Sequence, residues 1–435
     1  HTEYSFPIEK SQARAVESAF SRGRMHWSRP WALAVLQGLS KIGVLPAWQS
    51  QAGVNRISLL LPEVYASKGG IPVYNQNLIR ALGESFPRSE LRLISANDTS
   101  LPSSHPHHGR VNFIGCGPKG TAFRKWRIIY SSVRDILAHR PDVLVCGHIN
   151  FIPLALLLSA VRGIDTMLIA HGIEVWNPNF ILRAASRRVQ HVLPVSRFTA
   201  DRMEKWGVKR DRMWILPDTV DGEVFRPIRR RKLPDGPVLL TVARLDSSER
   251  YKGVDCVLST LAKIRVQFPG VRYIVAGRGD DRPRLEALAH GYGVADCVEF
   301  LGYVPDENLP QLFSEADVFV MPSQKEGFGI VFLEALACGV PVIAGNRDGS
   351  ADALLDGRLG LLVDPDDTGQ LETAVCSILE GTADAALRDP AHLRQEMLVH
   401  YGFDQFSATS KTIVLDLLVA HRCDASLGND RRGRR

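Results

Sequence analysis

Val318-Phe319-Val320-Met321-Pro322-Ser323 leads through Gln324-Lys325 into Glu326-Gly327-Phe328-Gly329-Ile330-Val331-Phe332-Leu333-Glu334-Ala335-Leu336-Ala337-Cys338-Gly339. The first run, apolar and rich in β-branched and aromatic residues, reads as a buried strand, the two glycines as a loop, and Ile330–Ala337 as a helix. Strand, glycine loop and helix in that order form part of a βαβ unit, the building block of a parallel sheet.

The same rhythm runs outward in both directions. Strand patterns at Val238–Val242, Tyr273–Ala276, Val298–Phe300, Val342–Ala344 and Leu361–Val363 alternate with helical ones at Val254–Gln267, Arg282–Ala289, Leu309–Glu315 and Gln370–Leu379. A first series precedes it, with strands at Ile57–Leu61, Leu91–Ala96, Val143–Gly147, Thr166–Ala170 and Val192–Val195. Between these lie helices at Val73–Leu82, Arg127–Ala138, Phe151–Val161 and Phe180–Val189. Pro217, Pro227, Pro234 and the run Arg229-Arg230-Arg231-Lys232 interrupt the rhythm and mark a linker. The expected fold is therefore α/β, two Rossmann-like doubly wound domains facing each other across a cleft. The domains expected are an extension over 1–50, a first Rossmann-like domain over 51–215, a linker over 216–236 and a second domain over 237–400. A crossover helix and basic tail then fill 401–435.

The 435 residues are 45% hydrophobic and 23% charged, which excludes a disordered chain and a small disulfide scaffold. Residues 1–220 carry 28 Lys and Arg against 15 Asp and Glu, and residues 221–435 carry 25 against 32, leaving +13 and −7. A basic first half suits an anionic partner such as a lipid headgroup or a pyrophosphate, or is simply a solvated Arg-rich surface. The seven cysteines, Cys116, Cys146, Cys256, Cys297, Cys338, Cys376 and Cys423, stand singly with no Cys-x-x-Cys pair, which points to a reducing compartment and no structural zinc. The apolar stretch Trp31–Leu45 is too short to span a bilayer; flanked by Trp27 and Trp48, it fits either an interfacial anchor or a surface-packed helix.

Several strand-end loops carry chemistry. Gly327 and Gly329 allow backbone amides to approach a ligand at a helix N-terminus. Glu326 and Glu334 could grip hydroxyls at two points of one extended ligand, with a cap and a solvated helix residue as the minority reading from spacing alone. Arg244 and Lys252, in Arg244-Leu245-Asp246…Lys252-Gly253, suit a pyrophosphate or surface ion pairs. His171-Gly172-Ile173-Glu174 and Lys68-Gly69-Gly70 close two further strand-end loops. Gly277-Arg278-Gly279 lacks the third glycine of a dinucleotide fingerprint, since Arg282 stands there. Asp364-Pro365-Asp366-Asp367 fits a turn and helix cap better than a metal site, so no metal ligand set is expected.

Taken together, Gly69-Gly70, His171-Gly172-x-Glu174, Arg244…Lys252-Gly253 and Glu326-x7-Glu334 resemble the retaining glycosyltransferases of family four, of GT-B fold, over about Arg56 to Asp367. The resemblance implies that Arg244 and Lys252 bind a donor diphosphate and Glu334 the ribose, while Glu326, with amides around Gly327, Phe328, Gly329 and Ile330, holds the sugar. It places His171 near the transferred sugar, Gly69 and Gly70 over the phosphates, and Gly277 and Val304 along the donor. The catalytic set it implies is His171, Glu326, Arg244 and Lys252, with no metal and no cofactor beyond the nucleotide-sugar donor. One departure is Pro217-Asp218, where many relatives carry Asn after the proline.

The expected activity is retaining transfer from a UDP- or GDP-sugar to a lipid-linked or saccharide acceptor, in bacterial polysaccharide or glycolipid synthesis. A monomer or dimer in the cytoplasm is expected, peripheral at the inner face of an anionic membrane and with no nucleic-acid partner. Rival readings are a soluble small-molecule acceptor, an NAD-linked oxidoreductase, and a catalytically silent binding subunit.

Overall fold

Two six-stranded parallel sheets carry the fold in the computed structural model, which describes residues 54–102, 110–117, 121–229 and 236–432. The expected extension over 1–50 with its Trp31–Leu45 stretch, the basic run from Arg230 to Lys232, the side chain of Cys423 and the last residues of the basic tail lie outside the described residues. The first sheet contains β1 (Arg56–Leu61), β2 (Glu90–Ser95), β3 (Val111–Gly115), β4 (Val143–Cys146), β5 (Asp165–Ala170) and β6 (His191–Pro194), in the order β3-β2-β1-β4-β5-β6. The second contains β7 (Val238–Val242), β8 (Arg272–Ala276), β9 (Val298–Gly302), β10 (Val318–Met321), β11 (Val342–Gly345) and β12 (Leu361–Val363), in the order β12-β11-β10-β7-β8-β9. Both sheets start at a central strand, wind to one edge, then return to wind to the other. The α/β, doubly wound architecture read from the strand–loop–helix rhythm is the one observed.

Helices cover both faces, so central strands are buried throughout and need continuous rather than alternating apolar residues. Every residue of β4, β5 and β10 is buried. The edge strand β3 escapes sequence reading because it is half-exposed and its Val-Asn-Phe-Ile-Gly pattern carries a polar residue. The helical pattern expected over Phe180–Val189 ends at Ser186.

The helices that position the site and its surroundings are α1 (Gly70–Ser85), α2 (Thr121–His139), α3 (Ile152–Arg162), α4 (Phe180–Ser186), α5 (Val254–Gln267), α6 (Ile330–Ala337), α7 (Pro390–Tyr401) and α8 (Phe403–Arg432). One core cluster runs from Leu59, Tyr74 and Ile79 in the first half to Phe319, Phe332 and Met397 in the second. α7 packs on α6, and α8 returns to lie along α1. There Phe406 meets the Tyr74 ring edge-on at 5.5 Å, and the Arg80 guanidinium stacks 3.9 Å from the Phe403 centroid. Thr219 Oγ1 donates to the Tyr401 carbonyl at 2.7 Å, and Val220 forms a parallel bridge with Gly402, so the chain crosses twice at one place. Among the described residues no helix is long and apolar enough to cross a membrane.

Phe406 is buried in this seam. Phe406→Ala should lower the unfolding free energy by about 3–5 kcal/mol, the usual cost of emptying a buried phenyl site, as read from a urea transition.

Candidate active site

In a doubly wound sheet the strand order reverses beside the first strand, and the loops leaving the carboxyl ends there part to form a crevice. In the second sheet that point lies between β7 and β10. The loop after β7 carries Arg244 and continues through Glu249 to Lys252, which precedes α5; the loop after β10 carries Glu326 to Gly329 into α6. The Lys252 ammonium pairs with the Glu326 carboxylate and lies 4.0 Å from Glu249 Oε2, and Arg244 Nη2 sits 2.5 Å from Glu249 Oε1. Burial pulls the Lys252 pKa down, but Glu326, through its charge and a hydrogen bond, outweighs it, leaving Lys252 above its ordinary value. Arg244 is 62% exposed and, among the described residues, Glu249 is its one ion-pair partner, which leaves much of its fork open to a ligand.

A buried carboxylate shapes the Glu326 loop. Asp348 accepts the Ser323 hydroxyl at 2.6 Å, the Glu326 amide at 2.6 Å and the Ser350 amide at 2.9 Å. Burial pushes its pKa to about 6 despite those donors. Glu249 and Asp348 are absent from the sequence reading, and Asp348 becomes legible only once β11 lies beside β10, with Ala344 opposite Met321. The Phe328 side chain is buried against the Tyr401 ring at 5.3 Å, so at this position only backbone can meet a ligand. Gly329 precedes α6, and Ile330 faces Gly70, where an added Cβ would lie 3.9 Å from Ile330 Cγ2. Burial, with the Asp306 and Asp218 charges nearby, pushes Glu334 to about 8, so it is largely protonated at neutral pH. Burial followed by Glu326 pushes Asp218 to about 7, where a half-protonated acid offers a donor and an acceptor much as an Asn would.

In the first sheet, His171 follows β5. The Glu174 carboxylate takes the His171 amide at 2.6 Å and so fixes the turn. The imidazole meets the edge of Tyr74 at a centroid distance of 5.0 Å, and its buried Nε2 has no hydrogen-bond partner among the described residues. Burial, then the neighbouring His148, lowers its pKa to about 3, so the ring stays neutral and can serve as a hydrogen-bonding group but not as a cation. Gly69 opens α1 into free space, and Lys68 beside it pairs with Asp306 of the second half.

The two halves meet backbone against backbone. A Cβ on Gly172, whose φ is +145°, would lie 2.7 Å from Gly327 Cα, and one on Gly327 would lie 1.9 Å from the His171 carbonyl oxygen. His171, Gly172, Glu326, Gly327 and Lys252 are thereby gathered in one place, with Arg244 linked through Glu249 and Glu334 further along α6. Gly277 and Gly279 instead seat the β8 loop on the Arg244 strand end: their Cβ atoms would come within 1.7 Å of the Ala243 oxygen and 2.1 Å of the Leu245 oxygen. Val304 is half-buried against the core. Asp367 caps the following helix, accepting from the Gly369 amide at 2.9 Å and the Gln370 amide at 3.0 Å, while Arg347 binds Asp364 and Asp366. Among the described residues no group of three or more His, Cys, Asp or Glu is placed to hold a metal ion.

Comparison with known proteins fits this geometry. Residues 68–224 match the family model described as "Glycosyltransferase Family 4" and residues 226–393 the one described as "Glycosyl transferases group 1". A GDP-mannose-dependent alpha-(1-6)-phosphatidylinositol monomannoside mannosyltransferase of Mycolicibacterium smegmatis is 35% identical over 257 residues, 54% of this chain and 66% of the relative. A D-inositol 3-phosphate glycosyltransferase of Acidothermus cellulolyticus is 36% identical over 216 residues, 46% of this chain and 47% of the relative. The chain thus spans less than two thirds of these curated relatives. Sucrose-phosphate synthase from Thermosynechococcus elongatus superposes with a TM-score of 0.72 at 21% identity, covering 84% of this chain and all of that one. Anabaena HepE in complex with UDP and glucose superposes at 0.67 and 17% identity, covering 82% and 98%. The two structural likenesses establish the shared GT-B fold.

Asp348→Ala removes the acceptor of two amides and a hydroxyl. It should lower the unfolding free energy by about 2–4 kcal/mol, measured by chemical denaturation, with Asp348→Asn recovering part of the loss.

Proposed function

Because the chain belongs to the family 4 glycosyltransferases, we propose that it moves a hexose from a UDP- or GDP-sugar to a hydroxyl of a lipid-linked or saccharide acceptor, with retention at the anomeric carbon. The observation that carries this reading is the backbone contact of Gly172 with Gly327 beside the Lys252–Glu326 pair. It gathers the Lys252 ammonium, the Glu326 carboxylate and the start of α6 beside the His171 imidazole, whose Nε2 has no partner among the described residues, and so supports reading Lys252 as a phosphate ligand and Glu326 as a hydroxyl ligand. The Mycolicibacterium relative is named for GDP-mannose and a phosphatidylinositol mannoside, which favours a GDP-sugar and a glycolipid acceptor.

With no donor bound, Glu326 and Glu249 neutralise Lys252. The donor diphosphate takes over that task, together with the exposed fork of Arg244, and releases Glu326 to accept the sugar's hydroxyls. His171 Nε2 meets a further hydroxyl, and Glu334 the ribose. As the bond from the anomeric carbon to the β-phosphate oxygen breaks, Arg244 and Lys252 stabilise the charge on the departing diphosphate without requiring a metal. The acceptor oxygen bonds to the same face of that carbon, and its proton passes to the phosphate oxygen that has just left. The meeting of the two loops excludes water from the activated sugar.

The donor is identified by thermal stabilisation with UDP-, GDP- and ADP-sugars beside NAD, since a ligand of the native state raises the midpoint. One sugar nucleotide should raise it, and a response to NAD alone would sink the reading. Arg244→Ala should reduce turnover by about 10²–10³-fold with the circular dichroism unchanged, since the side chain is mostly exposed and holds one charged partner among the described residues.

Glu334 adds a pH dependence. Its proton must leave for the carboxylate to accept from a ribose diol, so donor affinity should climb as pH rises to about 8 and level off above it. The donor-free fold should lose stability over the same range, because the unfolded chain has already released the proton that the folded chain keeps. Glu334→Gln should flatten both slopes in isothermal titrations and melts.

A further inference from the structure

The outer helices of the first sheet present a face that the transfer chemistry does not use. α2 turns Ile128, Ser132, Asp135 and Ile136 inward. Opposite them, at helical spacings of three and four, Phe123, Trp126 and Tyr130 stand 56%, 72% and 65% exposed. A surface helix ordinarily puts polar residues on that side. α3 packs beside α2 and exposes Leu157 and Val161; α4 packs beside α3 and exposes Phe180 and Ile181. Three neighbouring helices that share one core beneath them thus each turn large apolar side chains to solvent, which marks an interaction surface.

Charge identifies the partner. α2 carries Arg124, Lys125 and Arg134, while its one carboxylate, Asp135, is buried and held by Arg92. α3 and α4 contain no Asp or Glu. Trp, Tyr and Phe favour the boundary between headgroups and acyl chains, and cations there bind anionic lipid. The aliphatic Leu157, Val161 and Ile181 offer nothing to a nucleic acid.

We propose that α2, α3 and α4 form a docking face for an anionic bilayer. α2 follows β3 at the carboxyl edge of the sheet, the edge that also bears the Gly69 and His171 loops, so docking brings the cleft to headgroup level. This deepens the transfer reading by bringing a lipid-linked acceptor to the cleft, and it rests on that reading only for the acceptor.

Flotation of the full chain with vesicles of phosphatidylcholine, with and without phosphatidylglycerol, tests it. The chain should bind the mixed vesicles, release with salt, and leave pure phosphatidylcholine largely free. Replacing Phe123, Trp126 and Tyr130 with Ser should cut partitioning at least tenfold or so, and Lys125→Glu with Arg134→Glu likewise, with the melting midpoint and donor-induced stabilisation unchanged. No binding to the mixed vesicles, or equal binding by the variants, overturns the proposal. A loss of self-association in sedimentation with vesicle binding unaltered also overturns it, by assigning the face to a second copy. Vesicle binding without any response to sugar nucleotides keeps the docking face and removes the transfer reading instead.

Discussion

All strands within each sheet run the same way, and that constraint organises everything else. A parallel neighbour can be reached only by a crossover, so every strand delivers its carboxyl end to one edge and every helix departs from it. Arg244, Lys252, Glu326, His171 and Gly69 are far apart in the chain, yet all lie in loops at such edges. The site is a consequence of winding direction, and the side chains supply its chemistry.

The edges touch where neither side can spare an atom. Gly172 and Gly327 face each other with no room for a methyl group, which leaves backbone polar groups of both loops close to the ligand space. Around this contact sit more carboxylates than cations: Asp218, Glu249, Glu326, Glu334 and Asp348 against Lys252 and Arg244. Burial holds Asp218, Glu334 and Asp348 above the usual carboxylate range, so part of this negative charge is stored as protons. The site therefore does not present five full negative charges at neutral pH.

Much of this is legible in the sequence because strand and helix are both written as local patterns. The bounds of α5 and α6 and of β7 and β10 follow directly from apolar runs and glycines. β3 is hidden because an edge strand buries too little to show a run. Asp348 is hidden for another reason: it holds two backbone amides, which no residue code reveals, and a serine that only a neighbouring strand brings near; Glu174 stands in its motif, but the His171 amide that it holds does not. Gly277 and Gly279 show the converse, a motif that suggests a ligand but answers a steric demand from Ala243 and Leu245.

α8 is the last helix among the described residues, yet it completes the packing of α1, an element of the first half. During synthesis the first sheet is complete at Pro194 with the Tyr74 side of α1 uncovered, and the whole second sheet must follow before Phe406 arrives. The first half can close one face of its sheet on its own, but the face that carries Tyr74 waits for the second half, unlike that of an independent domain. The apolar seam left open until α8 is made is a natural binding site for a chaperone.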